Sequence, residues 1–283
     1  MIKRALLLCA LCAVVFIFSC IDSATVISVR KDGSGTITEV VYLSESVKTM
    51  MQGMMAQMEV EEGEKDQKLF DIEKYKTKAT KLGSGVKFVS AKEVTTKDGS
   101  SGIQVVYSFD DIRKLNIQAE PENPMGDEMA GMMEAEPVTE DKNPITFDFV
   151  PGAIPRLIIT MPKKEEPESS EEIPEETTEE PEAAAAGMGM MKQFLEGFRI
   201  RVMVNLLEGK IQKTNASFVE TVDGKETVTL LDVALGEIMK NEKYAKEWQG
   251  MSQIKDMSKA MEKMKNIPGL KIETAERVEI SFK

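Results

Sequence analysis

Three times along this chain two β-branched runs flank an Asp-Gly dipeptide, and that pattern constrains the fold more than any other feature. Residues 23–44 turn around Asp32-Gly33, residues 86–109 around Asp98-Gly99 through a looser Gly-containing connection, and residues 214–233 around Asp223-Gly224. Asp-Gly supplies the positive φ that tight hairpin turns demand, and β-branched residues suit a pleated, half-buried surface. Three hairpins predict a mostly antiparallel sheet. Their sequences differ too much to form an internal repeat.

Between the first two hairpins the period becomes helical. Met50, Met51, Met54, Met55 and Met58 share one helix face, and Leu69 and Ile72, extended by Lys76 and Ala79, begin a second helical pattern. Toward the C-terminus Leu235, Ile238, Met239, Trp248, Met251, Ile254, Met257, Met261 and Met264 recur at spacings near three and four. That spacing predicts an amphipathic helix, or a pair broken near Gly250, stopped by Pro268-Gly269. Helices inserted after a hairpin predict an α+β fold, a mostly antiparallel sheet packed with amphipathic helices and not a sandwich. A closing strand carrying Ile272, Val278 and Ile280 would complete that sheet.

Two stretches lack any period. Residues 119–143 mix Pro, Gly, Met and Glu and read as a loop between the hairpins and the strands ITFDFV and PRLIITMP. Residues 164–187 form a Pro/Glu-rich acidic insertion; 165–182 alone hold ten Glu and no Lys or Arg. Such a tract has too little apolar surface to offset the entropy of ordering, so it is expected to be disordered. The plain reading is a tolerated surface insertion, and the functional one a spacer or acidic lure. Beyond it Ile200, Val202, Val204 and Leu206 alternate with period two. Strands from 20–163 and 188–283 are therefore expected to pair in one sheet, with the insertion interrupting a single domain; two domains separated by it are the competing reading.

The N-terminus speaks to location. Lys3 and Arg4 precede an apolar stretch, residues 5–18, that falls short of the roughly 20 residues a spanning helix needs. It ends in Ile17-Phe18-Ser19-Cys20, an apolar residue and a small one before cysteine, which resembles a bacterial lipobox. In such signals residues 1–19 are removed and Cys20 becomes the lipidated first residue. An ordinary signal peptide with a chance cysteine, or an uncleaved anchor, is the competing reading. Cys9 and Cys12 would leave with the signal and Cys20 would carry lipid as a thioether, so the mature chain would hold no free thiol. A bacterial cell-envelope location is expected, on a membrane surface.

Composition narrows the chemistry. Net charge is −12, and −14 once Lys3 and Arg4 are removed, which argues against nucleic acid as a partner. The chain contains no histidine, which excludes Ser-His-Asp and Cys-His catalysis and every His-containing zinc or iron site. No cofactor is implied.

The order of the pieces resembles the LppM-type domain of bacterial envelope lipoproteins. The resemblance rests on Lys31-Asp32-Gly33-Ser34-Gly35-Thr36 in the first strand pair and on Gly102-Ile103-Gln104-Val105-Val106-Tyr107 followed by Phe109. It continues in Glu208-Gly209-Lys210-Ile211, leading to Thr214-Asn215 and Asp223-Gly224. Glu208 stands where the family usually has proline, and Thr229-Leu230-Leu231 where it has a tryptophan-bearing strand. The resemblance covers the hairpins, about a third of the mature chain. It implies an α+β envelope domain with a lipid- or glycolipid-binding pocket and no catalytic residue.

Three functional classes remain. The first is a non-catalytic binding or interaction module for a lipid, another apolar ligand or a protein partner, motivated by 20 methionines whose flexible thioethers adapt to irregular apolar surfaces. Core packing is the plainer use of the helical Met faces. The second is Cu(I) binding by soft thioethers, with Met129, Met132, Met133, Met188, Met190 and Met191 as the solvent-side candidates. The third is a carboxylate enzyme, for which Asp110, Asp111 and Asp148 are the candidates. For Asp110 and Asp111 a helix N-cap is the simpler role. Asp32-Gly33-Ser34-Gly35 lacks the alternating ligands of a calcium loop and reads as a turn.

Overall fold

β1 (Ile21–Val29) and β2 (Gly35–Leu43) pair antiparallel over their whole length, from Ile21 against Leu43 to Val29 against Gly35. The computed structural model describes residues 21–49, 52–53, 70–97, 99–118, 144–162, 197–249 and 266–283. Arg30 and Ser34 close the β1–β2 connection, with the Gly33 amide donating to the Arg30 carbonyl and the Arg30 amide to that of Ser34. Gly33 sits at φ 83°, so the turn is a three-residue loop with a left-handed glycine, one residue longer than a two-residue Asp-Gly turn. The second hairpin, β3 (Lys87–Thr95) and β4 (Ser101–Phe109), repeats this pattern at Thr96, Gly99 and Ser100. The two connections are therefore alike. Only the third, between β10 (Val219–Val222) and β11 (Lys225–Ala234), is a two-residue turn, with Asp223 and Gly224 both at positive φ.

Before β10 the chain contributes β5 (Asn116–Ile117), β6 (Ile145–Val150), β7 (Arg156–Thr160), β8 (Phe198–Leu206) and β9 (Ile211–Thr214). It closes with β12 (Leu270–Ile272) and β13 (Arg277–Phe282). The large sheet has the order β10-β11-β8-β1-β2-β4-β3, with β12 on β11; the small one runs β5-β6-β7-β13-β9. The fold is mostly sheet, mostly antiparallel, with few helices. β1 and β8 pair in parallel, Ile21 beside Phe198 and Val29 beside Leu206. Strands from before and after the acidic insertion are thus hydrogen-bonded neighbours at the centre of one sheet.

What covers the large sheet departs from expectation. Ile27, Val29, Ile37, Tyr107, Phe109, Val202 and Val204 share one core with Phe147, Phe149, Leu157, Ile159, Val278 and Ile280 of the small sheet. The covering layer is a second sheet, where helices were expected. The physical reason is visible in β6, whose strict alternation of buried and exposed residues gives a one-faced strand that must lie on another layer. The closing segment likewise divides: Ile272 pairs with Leu231 in the large sheet, while Val278 and Ile280 belong to the small one.

Among the described residues three helices have both ends defined. Asp71 caps α1 (Ile72–Lys81) by accepting from the Glu73 amide, and Lys78 and Lys81 suit its C-terminal end. Its buried side is Ala79 with Leu82, joined by Tyr75, whereas Ile72 is 45% exposed and Lys76 points to water. The expected stripe is thus rotated. α2 (Leu235–Lys240) and α3 (Glu242–Gln249) break at Asn241, ahead of Gly250, and Ile238 packs with Ile267 and Leu270 in a small separate cluster. Met50, Met51, Met54, Met55, Met58 and Leu69, and residues 250–264, where helices are expected, lie outside the described residues.

Candidate functional site

The strand directions give the molecule two unlike ends. β1 starts at Ile21, and Leu43, Ser101, Phe198 and Ala234 mark the same end of β2, β4, β8 and β11. This is the N-terminal pole. The opposite end, the turn pole, collects the short connections Arg30–Ser34, Asp110–Asp111 and Leu207–Lys210. The C-terminal Lys283 lies there too, exchanging backbone hydrogen bonds with Lys210 at 2.8 and 3.0 Å. Because β13 ends at the turn pole, its antiparallel neighbour β7 runs away from it, and β6 begins on the far side.

Cys20 lies outside the described residues; its chain neighbour Ile21 is the first that is described. Ile21 is 1% exposed, opens a central strand and donates its amide to the Gly197 carbonyl at 3.4 Å. Cys20 is therefore the chain neighbour of a core residue, Ile21. Around it stands a charge lattice on the sheet face opposite the core. Arg199 clasps Asp232 with two 2.8 Å bonds, and Arg201 donates to Asp22 at 2.6 Å. Asp22 is two residues from Cys20. The Asp232 carboxylate holds the Arg199 guanidinium above its ordinary pKa, chiefly by hydrogen bonding and against the opposing effect of burial. Sequence reasoning missed this lattice, because opposite charges on strands far apart in sequence carry no local signal.

The carboxylate candidates sit elsewhere. Asp111 caps the 3-10 turn Ile112–Lys114 and is gripped by Arg113, whose Nε lies 2.9 Å from Oδ1 and whose Nη2 lies 2.8 Å from Oδ2. Hydrogen bonding from that guanidinium holds the Asp111 carboxyl below its ordinary value. Asp110 is exposed and pairs with Lys87 at 3.3 Å. Asp148 accepts from the neighbouring Phe149 amide at 2.8 Å. Each is occupied in a local structural bond. The residues Asp32 to Gly35 form a turn, in which Asp32 Oδ1 accepts from Ser34 Oγ at 2.7 Å and its amide at 2.9 Å. Those bonds hold the Asp32 carboxyl below its ordinary value, the hydroxyl contributing most.

Met129, Met132, Met133, Met188, Met190 and Met191 all lie outside the described residues. Among the described residues no group of three or more carboxylates or cysteines is arranged to hold a metal ion, and no helix is long and apolar enough to cross a membrane. Comparison with protein-family models, curated proteins and solved structures finds no match for this chain.

A buried carboxylate does a different job. Glu273, 3% exposed, accepts from the Ser217 amide at 2.7 Å, the Ser217 hydroxyl at 3.0 Å, and the Thr274 and Ala275 amides at 2.8 and 2.9 Å. It stands where β12 leaves the large sheet for β13 in the small one, and Ser217 lies where β9 crosses back to β10. These two of the crossings between sheets are thus tied to one side chain. Asn215 adds a second tie, donating to the Arg277 carbonyl at 2.9 Å and accepting from the Glu279 amide at 2.7 Å.

Proposed function

We propose that this chain is a bacterial envelope lipoprotein, exported, anchored through a lipid on Cys20, and acting as a non-catalytic binding or interaction module. The observation that carries the reading is the lipobox-like Ile17-Phe18-Ser19-Cys20 abutting, with no spacer, the buried first residue of a central strand. A signal that ends where the fold begins suits cleavage before Cys20. Every strand of both sheets lies after residue 20, so removal of residues 1–19 leaves each of them whole. The engagement of Asp110, Asp111 and Asp148 in structural bonds supports binding over carboxylate catalysis.

The LppM-type resemblance supplies the ligand class, a lipid or glycolipid, and a protein partner is the other occupant of this reading. The finer picture, in which methionine-faced amphipathic helices pack on the sheets and shape an apolar site, belongs to the same proposal. Met side chains suit it, being apolar and adaptable. Cu(I) is the second reading. It is favoured by one placement: the stretches bearing Met129 to Met133 and Met188 to Met191 both leave strand ends remote from the turn pole, after Gln118 and Pro162.

Native mass spectrometry of the protein purified from its own envelope, before and after addition of Cu(I), tests both readings. A bound mass of lipid size supports the apolar ligand. Stoichiometric copper without lipid would replace it with the metal reading.

A further inference from the structure

We propose that the N-terminal pole is the surface that lies on the bilayer, and that the turn pole is held away from it, toward the aqueous side. The inference rests on lipidation of Cys20 and deepens that reading by assigning which end of the domain meets lipid. Consecutive Cα atoms are about 3.8 Å apart, so a lipid on Cys20 places Ile21 within one residue of the interface. Ile21 cannot move outward as a tether, because it is buried and paired on both sides, with Leu43 and Phe198. The anchor is therefore rigidly continuous with the large sheet.

Other segments share that end. The turn Thr96–Ser100, the helical start at residues 45–49 and the β11–α2 junction at Ala234 lie level with Ile21, since Ser101, Leu43 and Ala234 occupy the same end of the sheet. β1 is nine residues long, so at about 3.3 Å per residue the turn pole stands roughly 26–30 Å farther out. Arg199, Arg201, Asp22 and Asp232, charges on strands that end at this pole, are paired with one another. Neutralised in this way, they can sit beside headgroups without a strong preference for lipid charge. The chain also leaves the described fold at this pole after Thr49 and Gln249, and re-enters it there at Gly197 and Asn266.

The test uses the full, lipidated protein in liposomes. With Cys20 in thioether linkage the mature chain has no other cysteine, so Lys97→Cys at the N-terminal pole and Lys210→Cys at the turn pole, both exposed lysines, each give a single labelling site. A fluorophore on each is exposed to lipid carrying a headgroup spin label. Several-fold stronger quenching at position 97 than at 210 is expected. Equal quenching at the two, or stronger quenching at 210, overturns the orientation while co-flotation with the liposomes preserves the anchor. Failure of the protein to co-float, with no diacylglyceryl mass on Cys20, overturns the anchor and the orientation together.

Discussion

Tyr107 shows how one atom can hold a layer in place. It is fully buried, stacks edge-on to Phe88 with ring centroids 6.1 Å apart, and donates its hydroxyl to the Tyr75 carbonyl at 3.1 Å, tying α1 to the large sheet. Tyr107→Phe keeps the packing and removes that bond, so denaturant unfolding should report a loss of about 1 kcal/mol. Gly33 carries a different constraint. Its φ of 83° is left-handed, and a Cβ there would lie 2.9 Å from the Phe149 ring of the small sheet. Gly33→Ala should cost about 1–2 kcal/mol from the backbone alone, plus displacement of the ring, and should lower the Tm. Glu273 is the most exacting residue. Its replacement by Ala leaves three backbone amides without their carboxylate, and a loss of about 2–4 kcal/mol is expected in the same unfolding measurement. An effect below about 1 kcal/mol would show that the sheet crossings do not depend on it.

The elements that could be read from the sequence are those whose signal is local. Asp-Gly flanked by β-branched runs located all three hairpins, and period-two alternation from Ile200 to Leu206 located β8. Asp111, expected as a cap, is one. Partnership between distant strands was less legible. Nothing in a strand's own residues says whether it joins an existing sheet or starts another, and so the small sheet and the division of residues 270–282 between both sheets went unread. The rotated face of α1 has a similar cause: Lys78 is drawn inward by Glu39, an ion pair at 3.0 Å with a residue of β2. Asp111 also makes a pH prediction. A carboxyl held below its ordinary 3.8 contributes stability that is present above that value and lost as pH falls through the depressed one. Acid titration of Tm should therefore be shallower below about pH 4 in Asp111→Asn than in the parent chain. Identical slopes would remove Asp111, and with it the Arg113 clasp, from the acid response.

At the scale of the whole molecule, a parallel pair β1–β8 at the centre of the large sheet demands a long crossover, and the acidic insertion lies within it. Residues 165–182 should be removable with the Tm changed by no more than about 2 °C, since shortening a long connection alters closure entropy only slightly. A fall of about 10 °C would make the tract structural. The same crossover returns β8 beside Ile21, so that the sheet, the point where the chain re-enters it and the proposed anchor converge at one end. The central claim, that Cys20 ties this end to a membrane, is tested most directly by fractionating cells that express the parent chain or Cys20→Ser. The parent should sediment with membranes and the variant should appear in the soluble fraction, folded. A Cys20→Ser protein still held by membranes would contradict the anchor.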